Sequence, residues 1–128
     1  MNKILQGIAA AKRGSVATDA GKTLEGRYCF GDTFTGFAGH FPGHPILPAI
    51  VEILTVVSLV SEHTGCRQHL IAVEDAKFIN PVQPNQEILV RCRQRSLKGK
   101  LLYDAELSVG ETTTATLLIE LSPIEVMP

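Results

Sequence analysis

The spacing of apolar residues changes near residue 65 of the chain. Residues 48–64 are apolar around most of a helical circumference, which is typical of a buried helix. We expect Pro48 to be the first helical residue, where a missing N–H costs nothing, and Gly65 to end the helix. Beyond Gly65 the apolar period becomes two, which predicts strands. The segments with this period are residues 69–78, 87–97, 101–109 and 112–121.

The rest of the chain completes an α+β prediction. Residues 2–12 suit a short amphipathic helix, and residues 13–23 are small and polar, which predicts a loop with a turn near residues 19–21. Residues 24–30 suit a strand, and residues 31–47 an ordered loop. Hairpin signals at Gly99 and Gly110 predict an antiparallel meander after the helix. We therefore expect a single domain over residues 1–128, in which an antiparallel sheet wraps around one long helix.

Composition excludes several classes of function. A length of 128 residues suits one core, and a net charge of −1 gives no bulk attraction to nucleic acid or to an anionic membrane. No apolar run is long enough to span a bilayer. The three cysteines form no C-x-x-C pair, so we expect free thiols, no metal site and a cytoplasmic location.

One loop carries the candidate chemistry. Residues 39–48 read GHFPGHPILP, in which three prolines restrict the backbone around His40. A histidine held in one place suits a catalytic base. The alternative is a structural histidine that bonds to the loop backbone.

This loop resembles the active-site motif of the hot-dog-fold 3-hydroxyacyl-acyl-carrier-protein dehydratases. Residues 76–84, AKFINPVQP, resemble a second element of that family, and the similarity covers roughly residues 24–122. The N-terminal part lacks the P-H-R-Y-P-F segment of the standard enzymes. The positions of the loop motif that match are Gly39, His40, Phe41, Pro42, Pro45, Ile46, Leu47 and Pro48.

The resemblance implies a hot-dog fold, a homodimer or higher homo-oligomer, and elimination of water from a 3-hydroxyacyl thioester carried by acyl carrier protein or coenzyme A. It implies neither a metal nor a redox cofactor. His40 is the expected base, and the carboxylic acid comes from the other subunit. Backbone amides at Gly39 and Ala49 are the expected oxyanion donors, Ala49 because it lies at the helix start. The candidate tunnel residues are Phe37, Phe41, Pro48, Leu54 and Phe78.

The acid is ambiguous in the sequence. The family places it fourteen residues after the histidine, where this chain has Leu54, and the nearest carboxylate is Glu52. Either the helix start has shifted and Glu52 is the acid, or Glu52 is turned by about 200° from the pocket. In the second case it joins a solvated polar stripe with Thr55, Ser58 and Glu62. A hot-dog thioesterase and a non-catalytic acyl-thioester-binding module therefore remain alternatives to a dehydratase.

Overall fold

The computed structural model describes residues 3–19, 23–37, 43 and 45–124. Within these residues one long helix lies against a six-stranded antiparallel sheet. The helices are α1 (Lys3–Ala11) and α2 (Ala49–Thr64), with a 3₁₀ turn at Thr35–Phe37. The strands are β1 (Lys12–Asp19), β2 (Thr23–Cys29), β3 (Gln68–Phe78), β4 (Glu87–Leu97), β5 (Lys100–Val109) and β6 (Thr112–Pro123). The predicted helices and the five predicted strands are confirmed to within two residues at each end.

The strand order is β1-β2-β4-β5-β6-β3. Strands β4, β5 and β6 form the predicted meander, with left-handed glycines at both hairpins (Gly99, φ 77°; Gly110, φ 59°). The expectation that β3 belongs to the same meander is wrong, because β3 pairs with β6 at the far edge. Strand β2 pairs with β4 instead, and residues 79–86 link the edge strand β3 to the interior strand β4.

Strand β1 corrects the expectation of a loop over residues 13–23. It pairs antiparallel with β2, from Lys12 opposite Tyr28 to Asp19 opposite Thr23. The apolar alternation that marks a strand is missing because β1 is an edge strand, interrupted by a bulge, whose residues are largely exposed. The predicted turn near residues 19–21 lies partly outside the described residues.

Helix α2 forms the centre of the core, and its sequence explains how it fits there. Its buried residues include Val51, Val56 and Leu59, although its β-branched content gives it modest intrinsic helix propensity. Gly26 of β2 lets the helix approach closely, since a Cβ there would lie 2.6 Å from a methyl carbon of Leu59. Gly65 ends the helix in the left-handed conformation (φ 70°).

Strand β3 leaves apolar side chains uncovered. Val73 and Phe78 lie opposite the buried residues Ile119 and Ala115, so they share the helix-facing side of the sheet. They are nevertheless 43% and 44% exposed, and Ile71 and Ile79 are also exposed. We call these four residues, Ile71, Val73, Phe78 and Ile79, the β3 edge surface. Within the described residues, neither helix is long and apolar enough to cross a membrane.

Two hydrogen bonds hold the segments on either side of residues 38–44. The N–H of Leu47 donates to the carbonyl of Val82 over 2.8 Å, and the N–H of Asn85 donates to the carbonyl of Phe30 over 2.7 Å. The first bond fixes the start of α2 against the connection between β3 and β4, and the second fixes the residue after β2 against the same connection. The predicted site residues Gly39, His40 and Phe41 lie outside the described residues.

Candidate active site

An open cleft of about 520 Å³ lies between the start of α2 and the chain that leaves β3. The Leu47–Val82 hydrogen bond brings these two segments together, although they are far apart in sequence. The cleft is mostly apolar. The described residues that line it are Ile46, Leu47, Pro48, Ala49, Glu52, Phe78, Ile79, Asn80 and Pro81.

Glu52 supplies a carboxyl group to this cleft. Its side chain is 4% exposed, and within the described residues its Oε1 atom has no hydrogen-bond partner. Burial disfavours the charged form and raises the pKa of Glu52 from 4.5 to about 7. The group lies in the first turn of α2, where the helix dipole favours negative charge, but desolvation outweighs that effect. Near neutral pH Glu52 is therefore populated both as an acid and as a carboxylate.

The alternative that placed Glu52 on a solvated stripe is wrong. Glu52 and Thr55 are buried, Ser58 is half-buried, and Glu62 is exposed and forms an ion pair with Lys12. The polar spacing is real, but the N-terminal half of the stripe is buried. Periodicity shows which residues share a helix face, and only packing shows whether that face is solvated.

The start of α2 brings a backbone donor to the same cleft. Pro48 is the N-cap, because its extended ψ of 148° places it outside the helix. The helix therefore begins at Ala49, one residue later than predicted. Its carbonyl accepts hydrogen bonds from the N–H groups of Val51 (3.0 Å) and Glu52 (3.3 Å). The N–H of Ala49 has no acceptor among the described residues, as expected for the first turn of a helix. Ala49 lines the cleft together with Glu52, and its predicted role as an oxyanion donor stays a prediction.

The other predicted tunnel residues divide into two groups. Pro48 and Phe78 line the cleft. Phe37 is buried and packs edge-on against Phe34, and Leu54 packs against the core, so neither is among the described lining residues. Leu54 therefore does not replace Glu52 in the cleft. The prediction for Phe41 stays untested, as do those for His40 and Gly39.

Ile79, Asn80 and Pro81 were not predicted as site residues. Their signal was present in the second matching element, AKFINPVQP, but the sequence does not show that this element folds against residues 46–49. Among the described residues, no three His, Cys, Asp or Glu side chains form a group that could hold a metal ion.

Comparison with known proteins places this arrangement in a family. The family model described as "ApeI-like: ApeI dehydratase" matches residues 17–116. The chain belongs to the ApeI-like dehydratase family. The match includes α2 with Glu52, the β3–β4 connection with Asn80, and most of the sheet.

Curated relatives of this ApeI-like chain carry the name 3-hydroxyacyl-acyl-carrier-protein dehydratase FabZ. The protein from Granulibacter bethesdensis is 27% identical over 105 residues, covering 70% of this chain and 61% of the relative. The protein from Wolbachia pipientis subsp. Culex pipiens is 30% identical over 95 residues, covering 66% of each chain. This chain thus spans about three fifths to two thirds of the length of these relatives.

Solved structures confirm the predicted α+β hot-dog fold. The dehydratase heterocomplex ApeI:P from Xenorhabdus doucetiae aligns with a TM-score of 0.73 and 22% identity, covering 86% of this chain and 95% of that chain. The E. coli PaaI protein from the phenylacetic acid degradation operon aligns with a TM-score of 0.62 and 12% identity, covering 84% and 80%. At these identities the similarity concerns the fold.

The buried carboxyl predicts a specific dependence of stability on pH. Below pH 4.5 Glu52 is protonated in both the folded and the unfolded state, and its burial has no ionisation cost. Between pH 4.5 and about 7 the unfolded state ionises first, so the free energy of unfolding falls as pH rises. Glu52→Gln should therefore be close to wild type in stability at pH 4 and more stable by about 3 kcal/mol at pH 8.

Urea denaturation at fixed protein concentration measures this difference. Glu111→Gln, which replaces an exposed carboxylate in the turn between β5 and β6, is the matched control. Its difference in stability from wild type should not grow between pH 4 and pH 8. A wild-type protein that is more stable than Glu52→Gln at pH 8 would mean that the carboxylate is paired and that its pKa is not raised.

Proposed function

We propose that this member of the ApeI-like dehydratase family eliminates water from a 3-hydroxyacyl thioester, with Glu52 as the acid and His40 as the base. The observation that carries the proposal is the buried carboxyl group of Glu52 in an apolar cleft, whose Oε1 atom has no hydrogen-bond partner among the described residues. A carboxyl group in a structural role is normally hydrogen-bonded or solvated. An acid whose pKa lies near the working pH suits proton transfer.

The proposed reaction needs two proton transfers. His40 removes a proton from C2, and protonated Glu52 donates its proton to the 3-hydroxyl group as the C3–O bond breaks. The C2–H electron pair forms the new C2=C3 double bond, and the oxygen leaves as water. The product is a trans-2-enoyl thioester, His40 has gained a proton and Glu52 has lost one.

The cleft also supports stabilisation of the charge that develops during C2 deprotonation. Negative charge accumulates on the thioester carbonyl oxygen, and the N–H of Ala49 at the start of α2 is a donor for it. We propose Gly39 as the second donor, on the resemblance of the loop motif. The acyl chain packs against the apolar lining, including Pro48, Phe78 and Ile79.

A second copy of the chain is the proposed occupant of the β3 edge surface. An edge strand with unpaired backbone groups and exposed apolar side chains favours pairing with another strand. In this homodimer His40 of one protomer faces Glu52 of its partner across the tunnel. A different hot-dog subunit is the alternative occupant, since the Xenorhabdus doucetiae structure is described as a heterocomplex.

The names of the FabZ relatives support acyl carrier protein as the substrate's carrier, with coenzyme A as the alternative. Cys29, Cys66 and Cys92 are all free thiols, which supports a reducing compartment such as the cytoplasm. The proposed reaction uses no metal or redox cofactor, because both proton transfers are made by side chains.

Dehydration of 3-hydroxybutyryl-N-acetylcysteamine, followed by enoyl-thioester absorbance, tests the two roles. His40→Ala and Glu52→Gln should each lower kcat/KM by about 100-fold or more. Because Glu52 must be protonated, wild-type kcat/KM should fall as pH rises above about 7. His63→Ala, which replaces an exposed histidine in the last turn of α2, is the matched control.

Four outcomes would overturn the assignment. Unchanged turnover in His40→Ala removes the base, and unchanged turnover in Glu52→Gln removes the acid. Release of free thiol without enoyl product identifies a thioesterase. Saturable binding of the thioester without either product identifies a binding module.

Mixing the two inactive variants tests whether the site is shared between protomers. Co-expressed His40→Ala and Glu52→Gln chains should recover about a quarter of wild-type activity, because half of random dimers are mixed and each carries one intact site. If both residues acted within one protomer, no site in the mixture would be intact. Activity no higher than that of the separate variants would therefore contradict the shared site.

A further inference from the structure

A second polar side chain lies in the cleft, at its rim. Among the described lining residues, only Glu52 and Asn80 have polar side chains, and Glu52 is buried whereas Asn80 is exposed. Asn80 lies two residues beyond the end of β3 and is flanked by Ile79 and Pro81, which also line the cleft. The two polar groups therefore lie at different depths of one apolar cleft.

The amide group of Asn80 has a defined orientation. Its Nδ2 donates a hydrogen bond to the carbonyl of Thr113 over 2.9 Å. The backbone N–H groups of Ile79 (2.8 Å) and Asn80 (3.2 Å) both donate to the carbonyl of Thr114, which attaches this segment to β6. A carbonyl can only accept, so Nδ2 must face Thr113 and Oδ1 must be directed elsewhere. Within the described part of the chain, Oδ1 has no donor.

We infer that Asn80 is a specificity-determining residue, whose Oδ1 accepts a hydrogen bond from the first amide N–H of the substrate's thiol arm. The inference rests on the proposed function and extends it to recognition of the group on the far side of the thioester. Acyl carrier protein and coenzyme A present the same arm there, a sulfur followed by two methylene carbons and an amide nitrogen.

The depth of the two polar groups matches the order of atoms in such a substrate. When the carbons that react lie beside buried Glu52, the sulfur and the amide extend toward the rim, where Asn80 lies. The hydrogen bond from Nδ2 to Thr113 fixes the amide group, which reduces the entropy lost on binding. A substrate with an oxygen in place of the amide N–H would put one acceptor against another.

The test compares two thioethers that cannot react, S-butyl-N-acetylcysteamine and its ester counterpart 2-(butylthio)ethyl acetate, by chemical-shift titration of the full chain. The wild-type protein should bind the amide about tenfold more tightly than the ester. Asn80→Ala should reduce this preference for the amide to a factor between about one and two. Gln83→Ala, an exposed substitution in the same connection, should leave the ratio at the wild-type value.

The ratio of the two affinities, amide over ester, separates a loss of recognition from structural damage. If Asn80→Ala only disturbed the connection, both ligands would weaken equally and the ratio would stay near ten, which would overturn the inference. A wild-type ratio of one, or no saturable binding of either ligand, would overturn it as well.

The corresponding reactive pair, S-crotonyl-N-acetylcysteamine and its ester counterpart 2-(crotonylthio)ethyl acetate, would be hydrated in the reverse reaction. This pair separates the inference from the proposed function. Turnover of both crotonyl thioesters with no preference for the amide would keep the dehydratase and overturn the role of Asn80. An amide preference in binding that depends on Asn80, without any turnover, would support recognition of the arm and overturn the catalytic proposal.

Discussion

The burial of the Glu52 carboxyl group, whose Oε1 atom is unpaired among the residues that the structure describes, is the constraint on which the site depends. Desolvation raises its pKa to about 7, which corresponds to about 3 kcal/mol of stability lost at high pH. That is a large fraction of the 5–15 kcal/mol that typically stabilises a domain. The fold tolerates the cost because Val51, Val56 and Leu59 of the same helix are almost completely buried. A group that lowers stability without a structural partner is typical of a functional site.

The cleft around Glu52 exists because hydrogen bonds between distant parts of the chain bring its two walls together. The Leu47–Val82 bond holds the start of α2 against the β3–β4 connection, and the carbonyl of Thr114 holds Ile79 and Asn80 against β6. One wall provides the carboxyl group of Glu52 and the first N–H of the helix, and the other provides the apolar side chain of Phe78 and the amide of Asn80. The catalytic proposal and the specificity inference thus use opposite walls of one cleft.

Local features of the sequence predicted local features of the structure well. Helix α2 ends at Gly65, and the hairpins form at Gly99 and Gly110, because each glycine adopts a left-handed conformation that other residues avoid. Strand β1 was missed because an exposed edge strand needs no apolar alternation. The pairing of β3 with β6 was missed because strand order depends on contacts between distant residues rather than on any local pattern. The spacing of Glu52, Thr55 and Ser58 likewise identified one face of the helix. It could not show that this face is covered, because burial also depends on contacts between distant residues.

The most direct test of this account is the ionisation of Glu52 itself. A carbon-13 NMR titration of the side-chain carboxyl carbons, with the Glu52 resonance assigned through Glu52→Gln, reports its protonation without requiring activity. We expect a midpoint at about pH 7, well above that of an ordinary glutamate at 4.5. A midpoint at or below 4.5 would show that the carboxylate is solvated or paired, and would contradict the role of Glu52 as the acid.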